Sequence, residues 1–184
     1  MHLDYHDRRL NATIRHFIGD NSPLIRLEDY VHPTPDMAFH KARVVYTPGG
    51  VQEVTYTPYT MRSIKSLRLV TDDTISYAYK STDRTALNRL AARKGDCDEI
   101  IIVKNGLLTD TSFTNIALFD GKSWLTPAHP LLCGTKRQYL IDQGEIIPQD
   151  IPVDTLSQYK AIRLFNAMIE FGEIELPAID VKPL

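Results

Sequence analysis

The chain has only two cysteines in 184 residues, Cys97 and Cys133. That is too few for a disulfide scaffold, and both are expected as reduced thiols in the cytoplasm. It has no apolar run approaching the roughly 18 residues of a membrane span, and no basic-then-apolar leader; neither spanning nor secretion is expected. Excess charge is also missing, since 21 Lys+Arg stand against 23 Asp+Glu for a formal net charge of −2. No basic face for nucleic acid is implied, and a small anion has to be held by local donors. The histidines show no ligand spacing with one another or with cysteine, so no metal is expected. Ser112 lies outside any Gly-x-Ser-x-Gly elbow, which leaves a serine hydrolase without support. The Asn11-Ala12-Thr13 sequon has no signal peptide beside it and reads as coincidence.

What remains is an ordinary globular composition, 43% hydrophobic and 24% charged, enough for one domain or two small lobes around a cleft. YHDRRLNATIRHFIGD places Leu10, Ile14, Phe17 and Ile18 at helical spacing, with Gly19 as a stop. HKARVVYTPGGVQEVTYTPY reads as two strands joined across Pro48-Gly49-Gly50, and IKSLRLVT, 64–71, as a third strand of that sheet. A lobe boundary is expected near 73–78, dividing a small α+β lobe, 1–75, from a larger lobe, 76–184. The larger lobe starts with a helix from about Thr82 to Lys94. EIIIVKNGLLTD follows as a hairpin closed at Asn105-Gly106, and TNIALFDGKSWLT as another closed at Asp120-Gly121. A helix over Thr135–Gln143, a short one around 154–158 and a strand over 161–168 complete an α+β architecture.

Some residues in this frame carry chemistry. Lys80 ends the apolar-aromatic run Ile75–Tyr79, where a strand is expected to enter the interior; a desolvated lysine there becomes a nucleophilic amine, whereas elsewhere it is a solvated surface group. Asp110 reads either as a turn acid of the loop TDTSFT or as a carboxylate beneath a pyridine nitrogen. Asn115 either orders that region or simply starts the strand NIALF. Gly134-Thr135-Lys136-Arg137 heads a helix whose first amides suit an anion, with Gly134 lacking the Cβ that would obstruct a phosphate. Asn166 and Ala167 close a strand, as a second set of phosphate donors or as an ordinary strand end.

In this order, the segments resemble the class IV, or fold type IV, pyridoxal-phosphate enzymes, a family including branched-chain and D-amino acid aminotransferases and aminodeoxychorismate lyase. YHDRRL is similar to the family's His-x-x-Arg-Leu helix, which places Arg9 at the phosphate. AYKSTDR puts Lys80 at the Schiff-base lysine. It also carries Arg84, a candidate substrate contact, in the Lys-x-x-x-Arg form of lyase-like members. LTDTSFTNIALF resembles Val-Thr-Glu followed by Asn-Ile/Leu-Phe, so Asp110 stands where a glutamate meets the ring nitrogen. LLCGTKR resembles Leu-x-Gly-Ile-x-Arg, so the Thr135 and Lys136 amides would hold the phosphate. FNAMIEF is similar to the lyase's Asn-Ala-Leu-Met.

The resemblance implies a two-lobed enzyme with pyridoxal 5′-phosphate as cofactor and a small-molecule substrate. It also implies a homodimer, with aminotransferase or aminodeoxychorismate lyase-like activity. Two departures are visible. Asp110 is one methylene shorter than the usual glutamate, and the opening strand before the first helix is expected to be missing, which shortens the N-terminal lobe. That second departure keeps a rival open: a catalytically impaired relative, or a module that binds the cofactor or another phosphate ligand without turnover.

Overall fold

The structure, a computed structural model, describes residues 2–37 and 39–183. The chain divides into two compact units, 1–62 and 63–184.

The first unit holds helix α1 (Leu3–Ile18) and the antiparallel strands β1 (His40–Thr47) and β2 (Gly50–Pro58). The apolar spacing read from the sequence turns Leu10 and Ile14 inward, where they pack with Ile25, Leu27 and Val31 against Val44, Val54 and Tyr56. Gly19 ends the helix at φ 94°, its amide donating to the Arg15 carbonyl over 2.8 Å. Asn11 is buried, and its carboxamide exchanges hydrogen bonds of 2.7 and 2.9 Å with the Ile25 backbone, tying the following loop to α1. The sequon at this position is therefore a packing feature.

The second unit runs β3 (Leu67–Thr71), α2 (Thr85–Ala91), β4 (Glu99–Lys104), β5 (Leu107–Leu108), β6 (Asn115–Phe119), β7 (Trp124–Pro127), α3 (Thr135–Asp142), β8 (Ile147–Gln149), β9 (Ala161–Asn166), β10 (Ile169–Pro177) and β11 (Val181–Lys182). It builds two sheets, in the orders β11-β3-β4-β5 and β10-β9-β6-β7-β8. Both expected hairpins form. Asn105 and Gly106, at φ 52° and 76°, close the first, as the left-handed pair of a tight hairpin turn requires. The Asp120 carboxylate accepts the Lys122 and Ser123 amides at the end of the second.

Three expectations are corrected here. β3 does not extend the β1–β2 sheet; it pairs in parallel with β4 and β11. Leu67, Leu69 and Val70 are all buried, as in a strand covered on both faces, whereas β1 and β2 are half-exposed. The unit boundary accordingly lies before β3, not near 73–78. The strand at 161–168 stops at Asn166 and turns back through β10, which the sequence did not reveal. Its apolar residues alternate through Ile169 and Phe171 but resume at Ile174 and Leu176. The register shift between Ile169 and Ile174, around Gly172 at φ 110°, changes their phase.

Parallel pairing of β3 and β4 needs a crossover. That connection carries α2, whose Leu87 and Leu90 pack on Val70, Ile100 and Ile102. On the other sheet α3 places Leu140 against Ala117 and Phe165. Phe165 is fully buried and meets Phe171 edge-on at 5.3 Å. Phe165→Ala should cost about 3–5 kcal/mol, read as a lowered urea midpoint. Among the described residues, no helix is long and apolar enough to cross a membrane.

Candidate active site

The loop between β5 and β6, 109–114, is short of apolar residues yet buried at Thr109, Asp110, Thr111, Ser112 and Thr114. Its polar groups are satisfied within the protein, which is why it can be buried. Thr111 and Thr114 share a hydroxyl contact of 2.7 Å, and the Thr111 amide donates to the Thr114 carbonyl over 3.0 Å. Three side chains hold the loop from outside. Glu99, buried at the start of β4, accepts the Ser112 hydroxyl at 3.0 Å. Arg84 donates to the Ser112 carbonyl at 2.7 Å and to the Tyr77 hydroxyl at 3.1 Å. Asn166 donates to the Phe113 carbonyl at 3.2 Å, and its own carbonyl accepts the Met168 amide at 2.8 Å.

This loop aims Asp110 at the approach to α3. Asp110 is 5% exposed. One oxygen accepts the Asn115 amide at 2.7 Å, the other the Leu132 backbone amide at 2.9 Å. The same Asn115 amide group donates to the Leu132 carbonyl at 2.9 Å. Burial pushes the Asp110 carboxyl up to about 6, against the opposing pull of the Leu132 amide, Asn115 and the Arg137 charge. Arg137 was not singled out from the sequence. It is buried, donates to the Pro127 carbonyl at 2.8 Å, and keeps its Nε without a partner; burial draws its pKa down. Its place as the last residue of the Leu-x-Gly-Ile-x-Arg resemblance is the sequence signal that marks it.

Gly134 is the N-cap of α3, with an extended backbone (φ −66°, ψ 143°) that any residue adopts. A Cβ there would lie 1.9 Å from the Asn115 side-chain oxygen. The space expected for an approaching phosphate is thus taken by Asn115. Thr135 and Lys136 form the first turn of α3, and the Lys136 ammonium pairs with Glu170.

Lys80 departs from expectation. It does not end a buried strand: residues 72–84 form turns and loop, and Lys80 is exposed. Its backbone is left-handed at φ 52°, a region a lysine rarely adopts. It sits in the crossover that leaves the carboxyl end of β3, a common location for ligand sites in parallel sheets. Ala167 lies exposed in the β9–β10 turn. Arg9 is half-buried on α1, in the first unit. The structure therefore brings together Asp110, Asn115, Gly134 and the start of α3, with Asn166 and Arg84 bracing the loop. A cavity of about 300 Å³ in the same unit is lined by Tyr77, Lys104, Thr109, His129 and Leu131 among others; it contains none of the residues expected to act.

Residues 1–175 match the model of the family described as amino-transferase class IV. The chain belongs to that family. An uncharacterized protein of Haemophilus influenzae is 32% identical to this class IV family member over 169 residues, covering 90% of this chain and 89% of its own length. The crystal structure of a candidate 4-amino-4-deoxychorismate lyase from Haemophilus somnus 129pt superposes with a TM-score of 0.82 at 31% identity, over 91% of this chain and 89% of that one. A hypothetical aminotransferase from Mycobacterium tuberculosis in its PLP-bound form has the same fold, with a TM-score of 0.70 at 19% identity over 92% of this chain and 73% of that one. The class IV chain is an enzyme with the two-unit α+β architecture of fold type IV.

Proposed function

We propose that this class IV enzyme uses pyridoxal 5′-phosphate and acts at Cα of an amino-bearing substrate, as an aminodeoxychorismate lyase-like enzyme or an amino acid aminotransferase. The observation that carries the reading is Asp110: a buried carboxylate in the family's ring-nitrogen position, raised to about 6 by burial. Its oxygens accept the Asn115 side-chain amide and the Leu132 backbone amide, and the Leu131 amide also favours the ionised form. Such an anion fits a protonated ring nitrogen, because a cation placed against it offsets the burial that disfavours its charge.

Pyridoxal phosphate, when bound, supplies the electron sink for the bond broken at Cα. The chain's residues do the rest. Lys80 would hold the cofactor covalently through Nζ. Its amine would also serve as the general base and acid for the proton at Cα. Asp110 keeps the ring nitrogen protonated. The amides of Thr135 and Lys136 hold the phosphate at the start of α3, and Asn166 and Ala167 contribute from the β9–β10 turn. Arg9 enters through the His-x-x-Arg-Leu resemblance. Arg84 uses two of its five donors inside the protein, and substrate contact is assigned to the others.

The lyase side of the reading is favoured by the Haemophilus somnus protein, whose likeness covers nearly the whole of both chains. A homodimer in the cytoplasm completes the proposal, in keeping with two free cysteines, one of them exposed. Borohydride reduction after adding pyridoxal phosphate is expected to give a covalent adduct on Lys80, mapped by peptide mass. An adduct on another lysine, or none in folded protein, would overturn the assignment. Pyruvate release against keto-acid formation then separates lyase from aminotransferase.

A further inference from the structure

Asn115 opens β6 and is buried, so its carboxamide has to be satisfied by protein. It donates to Asp110 and to the Leu132 carbonyl, while Asp110 accepts the Leu132 amide. The three residues form a closed ring of hydrogen bonds. Leu132 lies two positions before Gly134, so this ring ties the carboxylate to the segment that leads into α3. The oxygen of the same carboxamide occupies the place where a Gly134 side chain would be, 1.9 Å from an added Cβ.

We infer that Asn115 is the positioning residue of the ring end of the site: it fixes the Asp110 carboxylate in one orientation and sets its spacing from the start of α3, and Gly134 lacks a side chain to admit it. This rests on the cofactor reading above for its purpose, though not for its geometry. It also accounts for the short acid. An aspartate reaches less far than a glutamate, so its place depends on what holds it, and both of its oxygens are held by groups fixed to the approach to α3. Carboxylate and anion-binding turn then move as one body.

The groups acting on Asp110 are few. Arg137 of α3 provides a positive charge, with Cys133 acting on Arg137 in turn; β6 offers the uncharged Asn115, and the approach to α3 the Leu132 and Leu131 amides. Removing the Asn115 donor takes away a hydrogen bond that favours the ionised form.

The test uses the full chain with Asn115→Ala, Asn115→Ser, Gly134→Ala and the double substitution. Urea midpoints of cofactor-free protein between pH 4 and 8 report the titration of Asp110, and pyridoxal-phosphate affinity is measured over the same range. Asn115→Ala should move the midpoint of both curves up by about one pH unit, with Asn115→Ser, which keeps a hydroxyl donor, between it and the parent. Gly134→Ala should destabilise, and adding Asn115→Ala should recover most of that loss. Unmoved midpoints, or a Gly134→Ala defect untouched by the second substitution, would overturn the inference. A parent that shows the expected cofactor-free shifts but binds no pyridoxal phosphate would instead refute the cofactor reading and leave the Asn115 geometry standing.

Discussion

Lys80→Ala is expected to leave a folded protein that retains pyridoxal phosphate weakly, forms no borohydride-stable adduct and turns over about 10²–10⁴-fold more slowly. The proposed function gives the same amine two jobs: covalent attachment, and carrying the proton at Cα. An uncharged methyl group does neither. The structure adds a second readout. At φ 52° the alanine keeps the strain of the left-handed backbone, while glycine does not. Lys80→Gly should therefore be more stable than Lys80→Ala by about 1 kcal/mol in urea, although both lack the amine. If the two variants unfold together, the backbone conformation at this position is not as described. If either retains near-parental turnover with no adduct, Lys80 is not the covalent residue. Strain at an exposed lysine, where a glycine would relieve it, supports the proposed role of that side chain.

The parts of the fold legible in the sequence are those written locally. Asn105-Gly106 and Asp120-Gly121 each specify a tight turn whatever surrounds them, and both hairpins form. Leu10 and Ile14 repeat at helical spacing, and α1 buries them. Pairing between distant segments is not written locally. β3 reads as well beside β2 as beside β4; burial on both faces and the α2 crossover place it with β4. β10 escaped because its bulge breaks the two-residue period on which strand recognition depends. The site divides the same way. The order of Lys80, Asp110 and Gly134 along the chain was enough to indicate the family, which the match over residues 1–175 shows. The environments were not legible. Lys80 follows an apolar run yet lies exposed in a turn, and the missing Gly134 side chain makes room for protein, not for a phosphate. Glu99, buried and bonded to the loop through Ser112, carries no motif of its own, and Arg137, which ends the Leu-x-Gly-Ile-x-Arg resemblance, carried no role from the sequence until its burial was seen.

Asp110 offers the second large effect, and its sign can be worked out. Burial raises its folded pKa from the ordinary 3.8 to about 6. Between those two values the folded protein holds a proton that the unfolded chain has lost. Stability is then greatest below about pH 4 as far as this group is concerned, falls as pH rises through 6, and is level above it. The total fall is about 3 kcal/mol. Cofactor-free protein should show it as a declining urea midpoint across that window, and Asp110→Asn should flatten the decline. Some of the gain at neutral pH will be offset, because the asparagine presents only one oxygen to the two donors of Asn115 and Leu132. Pyridoxal phosphate should act in the opposite sense. It stabilises the parent most above pH 6, where the carboxylate is ionised and can hold a protonated ring nitrogen, and this pH-dependent increment should vanish in Asp110→Asn. A parent whose stability is flat from pH 4 to 7 would mean the carboxylate is already compensated without a cofactor, by the Leu132 amide, Asn115 and the Arg137 charge, and would remove the reason for placing the ring nitrogen there. A declining parent curve that the cofactor levels would tie the energetic cost of burying Asp110 directly to the chemistry it is placed to support.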